Sequence, residues 1–86
     1  MELQERFEQA VATSKQLTER PSNETLLQLY SLYKQATEGD NVQDPPTNPF
    51  DFVARAKHDA WAGLRGKPAM VCMEEYIAIM DGLLNG

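Results

Sequence analysis

The sequence predicts an all-α fold of four helices, with a long irregular connection between the second and the third. Three observations carry this expectation. Apolar residues recur at helical spacing along most of the chain, and no stretch alternates as a strand does. Proline and glycine cluster at a few places that divide the chain into four stretches. The 86 residues suffice for one modest core, so 1–86 is read as a single domain.

The first helix carries Leu3, Phe7, Ala10, Val11, Ser14 and Leu17 on one stripe. Pro21-Ser22-Asn23 interrupts it, and Ser22 is placed to cap the next helix. That second helix is expected from residue 23 to about 37. Its apolar residues Leu26, Leu27, Leu29, Tyr30, Leu32 and Tyr33 cover two sides, so more than one neighbour must contact it. Gly39 ends it.

From Glu38 to Phe50 the chain is polar and carries Pro45, Pro46 and Pro49, which excludes a helix. This loop of roughly thirteen residues spans on the order of 40 Å when extended. The preceding helix is only about 22 Å long. The loop can therefore travel back along that helix, and the third helix is expected to run parallel to the second. Such a long connection is unusual in a bundle and argues against a simple up-down-up-down order. Asp51 is the expected cap of the third helix, about 52 to 64, with Val53, Ala56, Ala60 and Leu64 on one face. Gly66 ends it, and Pro68 suits the first turn of the fourth helix. That helix presents Met73, Tyr76, Ile77, Met80 and Leu84 on one side and frays towards Gly82, Asn85 and Gly86.

Thirteen acidic against eight basic residues leave a net charge of −5. This excludes a general nucleic-acid binder, which needs a basic face, and electrostatic docking on anionic lipid. One cysteine, Cys72, allows no internal disulfide, which fits a reducing compartment. The N-terminal segment lacks the apolar run of a signal peptide, and no stretch approaches the about 20 apolar residues of a membrane span. A cytoplasmic, monomeric protein without stable membrane insertion is expected.

Catalysis has little to work with. Cys72 lies among Met70, Met73 and Tyr76, where a small buried hydrophobe is the simplest reading, and Glu74 and Glu75 are poor company for a reactive thiolate. His58 has no cysteine or histidine at ligand spacing, so no metal is expected, and it reads as a solvated helix residue. Gly39, Gly63 and Gly66 are too dispersed for a phosphate loop.

Tyr30, Tyr33, Lys34 and Thr37 stand at i, i+3, i+4 and i+7 and so share one helix face. Two phenols, an ammonium and a hydroxyl suit a ligand with a flat ring and a phosphate: rings stack on the first, and the cation meets the second. Lys57 precedes Trp61 by one turn, and Lys15 follows Val11 by one turn. Any single lysine at such a place can simply snorkel along the core edge. Three of them near tyrosines, in an acidic protein, favour a shared anion site. Tyr76 sits among the apolar residues of the fourth helix and needs a partner for its hydroxyl, either structural or a ligand.

The run Tyr30-Ser31-Leu32-Tyr33-Lys34-Gln35-Ala36-Thr37 closely resembles the YxxYKQAT signature of the acyl-CoA-binding protein family. Ala56-Lys57-His58-Asp59-Ala60-Trp61 resembles its AKWDAW block. Phe7, Pro21, Asp51-Phe52, Gly66 and Met73-x-x-Tyr76-Ile77 extend the resemblance from about Phe7 to about Leu83. It implies an up-down-down-up bundle that binds long-chain fatty acyl-CoA esters and serves as an intracellular carrier and buffer, not an enzyme, with no cofactor of its own. By motif, Tyr30, Lys34 and Lys57 match the positions that hold the adenine and 3′-phosphate, and Tyr33 matches a ligand-facing aromatic. Lys15 and Tyr76 match outer contacts, and Val11, Leu26 and Leu27 match positions covering the acyl chain. His58 departs from the family, standing where it has a second tryptophan. The loop is one residue longer and carries Pro45-Pro46, Val11 stands where alanine is typical, and the lysine-rich C-terminal tail is missing. A protein-docking module of the same fold, using Tyr30, Tyr33 and Tyr76, is the alternative, but a docking face does not require three convergent cations.

Overall fold

The computed structural model describes residues 2–85, and the described residues form four helices and no strand: α1 (Leu3–Ser14), α2 (Asn23–Glu38), α3 (Phe52–Ala62) and α4 (Ala69–Asn85). The caps are those expected. Ser22 Oγ accepts from the Thr25 amide at 3.2 Å, and Asp51 Oδ1 accepts from the Ala54 amide at 3.1 Å. Gly39 leaves α2 at a φ of 80°, a conformation a side chain would strain.

Two ends fall short of expectation. α1 stops at Ser14, whose hydroxyl donates to the Val11 carbonyl at 2.6 Å, while Leu17 still packs on the core from the irregular segment beyond. α3 stops at Ala62. Past Gly63 the amides of Leu64 and Lys67 donate three residues back, to Trp61 and Leu64, and Gly66 with φ 85° turns the chain. Leu64 packs on the core from this turn instead of from a helix. Pro68 lies just ahead of α4, and its carbonyl accepts from the Cys72 amide at 3.1 Å.

Backbone packing joins α1 to α4, α4 to α2, and α2 to α3; α1 and α2 do not approach each other closely. Directions follow from what meets what. Leu3 and Arg6 lie beside Met70 and Glu74, whereas Thr13 and Leu17 lie beside Leu83 and Leu84, so α1 and α4 run the same way. Gln35, near the end of α2, donates to the Lys67 carbonyl just before α4, so those two run oppositely. Leu26 and Leu27 share a hollow with Val53, and the Trp61 indole reaches Gly39, so α2 and α3 are parallel. The order is up-down-down-up.

The core comprises Phe7, Ala10, Leu29, Leu32, Cys72, Tyr76, Ile77 and Met80. Cys72 is fully buried, and burial pushes its thiol above the ordinary value.

The long loop is held by hydrogen bonds in place of apolar packing. Asn41, 3% exposed, donates from Nδ2 to the His58 carbonyl at 3.2 Å and accepts from the Gln43 amide at 2.9 Å. Arg65 donates to the Asn41 carbonyl at 3.2 Å. His58 is not the solvated residue expected from the sequence. The loop folds back over α3, leaves its side chain 16% exposed, and takes its Nε2–H on the Gln43 carbonyl at 3.0 Å.

Asp40 ties this loop to the α3–α4 turn, accepting from the Gly66 amide and from Gln35 Nε2, each at 2.8 Å. The Gly66 bond above all, and then that from Gln35, hold its carboxyl below the usual value. A depressed carboxyl contributes stability that is full above its unfolded value and is lost as pH falls through the folded one. Asp40→Ala is therefore expected to lower the melting temperature at neutral pH and to converge on the wild type in acid. Melts followed by circular dichroism across that range check this; a difference that does not depend on pH contradicts it.

Candidate functional site

The site is built around the ring of Tyr30, half-buried on α2. Lys34 Nζ, one turn on, lies 5.9 Å from the ring centroid, and Lys57 Nζ, on the parallel α3, lies 5.2 Å from it. Two cations from different helices meet at one phenol because the parallel arrangement sets residue 57 beside residue 30. Lys34 Nζ is also 5.5 Å from the buried ring of Trp61, whose Nε1–H is fixed on the Gly39 carbonyl at 2.8 Å.

Glu38 holds Lys34 in this place, Nζ donating to Oε2 at 2.7 Å one turn along α2. That bond above all keeps the ammonium's pKa above its ordinary value, so Lys34 is charged throughout the neutral range. The lysine keeps further donors for an incoming anion, since an ammonium has three.

Two hollows meet at Tyr30. One, of about 390 Å³, is lined by Val11, Lys15, Leu26, Leu29, Tyr30, Tyr33 and Tyr76 and occupies the space left where α1 and α2 stand apart. The other, of about 700 Å³, lies between α2 and α3; Leu26, Leu27, Phe52, Val53 and Ala56 give it apolar walls, and Lys57 lines it too. Leu26 and Tyr30 belong to both. The arrangement can bind an anion and a flat ring at Tyr30, Lys34 and Lys57, and an extended apolar chain in the adjoining groove.

All nine residues expected from the sequence thus lie in or beside these two hollows. Lys15 stands in the first and Lys57 in the second, with Tyr30 common to both. Tyr33 is exposed and stacks on Phe7, ring centroids 6.1 Å apart. Tyr76 is buried at 4% exposure, edge-on to Phe7 at 5.2 Å. Its hydroxyl, whose partner the sequence left open, donates to Ser14 Oγ at 3.2 Å. The Thr37 hydroxyl is likewise taken, by the Tyr33 carbonyl at 2.8 Å.

Sequence reasoning did not assign Arg20, Asn23, Phe52 or the clamp of Glu38 on Lys34 to the site. Nothing in the sequence marked Phe52 and Val53 as groove lining. Each begins α3 as a large apolar residue yet remains 72% and 66% exposed, because both face the groove and not the core. Among the described residues no group of three or more histidine, cysteine or acidic side chains is placed to hold a metal ion, and no helix is long and apolar enough to cross a membrane.

Comparison with known proteins identifies the family of the chain. The family model described as Acyl CoA binding protein matches residues 4–80. The chain is 41% identical over 80 residues to an acyl-CoA-binding protein homolog of Drosophila melanogaster, covering 93% of this chain and 92% of that one. It is 45% identical over 85 residues to an acyl-CoA-binding protein of Brassica napus, covering 99% and 91%. The crystal structure of acyl-CoA-binding protein 2 of Oryza sativa superposes with a TM-score of 0.90 at 40% identity, covering 98% of this chain and 92% of that one.

Proposed function

Because this chain belongs to the acyl-CoA-binding protein family, we propose that residues 1–86 act as one domain that binds long-chain fatty acyl-CoA esters one to one, as a monomeric carrier and buffer in the cytoplasm. The observation that carries the reading is the junction at Tyr30: two ammonium groups within 6 Å of one ring, opening directly onto an apolar groove. Tyr30, Lys34 and Lys57 receive the adenine and 3′-phosphate, with Lys15, Tyr33 and Tyr76 as outer contacts. Val11, Leu26 and Leu27 cover the acyl chain.

Binding, and not turnover, is the proposed activity. The Cys72 thiol is fully buried with a raised pKa, and the Nε2–H of His58 is engaged by the loop, so neither is offered to a thioester.

Each buried methylene contributes about 0.8 kcal/mol, so a sixteen-carbon chain contributes at most on the order of 10 kcal/mol before the costs of association. Titration calorimetry with palmitoyl-CoA should therefore give tight one-to-one binding, with free coenzyme A and palmitate far weaker. Equal affinity for coenzyme A and its palmitoyl ester would overturn the reading.

A further inference from the structure

The groove between α2 and α3 is apolar along its walls but polar at both ends. With the helices parallel, Tyr30 and Lys57 mark one end, and Leu26, Leu27, Phe52, Val53 and Ala56 form the walls. Arg20 and Asn23 mark the other end, about 10 Å away along α2. A groove for plain hydrocarbon has no use for a guanidinium at its far end. Among the described residues Arg20 forms no ion pair. Its planar fork matches a carboxylate in two-point geometry, which a lysine does not.

We propose that this groove also takes coenzyme A esters of α,ω-dicarboxylic acids, with the ω-carboxylate received by Arg20 and the Asn23 amide. The inference rests on the acyl-CoA reading and names a ligand class for that same site. A carboxylate drawn into an apolar groove is disfavoured unless a partner meets it. Arg20 supplies that partner only to chains whose ω-end reaches the far end of the groove. Short diacids therefore gain nothing, and diacids of medium length gain most.

The test compares dodecanedioyl-CoA with lauroyl-CoA on the wild type, Arg20→Gln and Arg20→Glu by calorimetry, with hexanedioyl-CoA as the chain too short to reach. Arg20 is exposed and lies outside the helices, so both variants should fold; circular dichroism verifies it. The dissociation-constant ratio of dodecanedioyl-CoA to lauroyl-CoA is expected to rise about fivefold in Arg20→Gln, the upper end for an exposed ion pair, and further in Arg20→Glu. A ratio that is the same in all three proteins overturns the proposal and leaves acyl-CoA binding standing. Failure of lauroyl-CoA to bind the wild type removes the parent reading and this one with it.

Discussion

Replacing Lys34 by alanine is expected to weaken palmitoyl-CoA binding about ten- to a hundredfold, the worth of a hydrogen bond to a charged group. The same substitution should cost only about 1 kcal/mol of stability. What it removes from the folded protein is the ammonium's approach to the Tyr30 and Trp61 rings and one ion pair with Glu38 along a helix, between side chains 27% and 46% exposed, where such pairs are screened by water and salt. The two rings near its ammonium, Tyr30 and Trp61, keep their own packing without it. Calorimetric affinity and urea denaturation on the same preparation separate the two effects. A loss of stability with unchanged affinity would mean that Lys34 only snorkels along the core edge.

Trp61→Ala should be the most damaging single change for the fold at this end, about 3–5 kcal/mol, a large share of the roughly 5–15 kcal/mol that holds a domain together. Trp61 is 3% exposed and is the buried anchor of α3, which among the described helices packs only on α2. Its indole N–H holds the Gly39 carbonyl where the long loop begins. Trp61→Phe keeps most of the ring and loses that bond, so it should cost about 1–3 kcal/mol. Urea midpoints for the two variants, read by circular dichroism, check the order. Were the alanine variant as stable as wild type, α3 would have to be held by the loop hydrogen bonds of Asn41, Asp40 and Arg65.

How much of the site could be read beforehand depended on the range of the interaction. Tyr30, Tyr33 and Lys34 share a face because helical spacing puts them there, and that spacing is local. Ser22 and Asp51 cap as expected for the same reason: the side chain meets an amide three residues away. His58 went the other way. Nothing nearby in sequence indicates that Gln43, fifteen residues earlier, returns to accept its ring N–H. Arg20 and Phe52 read as a loop residue and a helix start until α2 and α3 lie side by side and turn both into groove lining.

By itself the sequence determined the four helices, the caps of the second and third, the long polar loop and the set of tyrosines and lysines proposed to meet the ligand. All of these rest on periods and contacts within a few residues, which composition and spacing specify. Only the tertiary structure decided that Lys34 and Lys57 converge on one ring, that Glu38 holds the first of them, and that Ser14 satisfies Tyr76. Apart from the Glu38 clamp, these depend on which helix lies beside which and in what direction. That choice is made by burial of the whole core and by the loop's hydrogen bonds, neither of which is written in any one stretch of the chain.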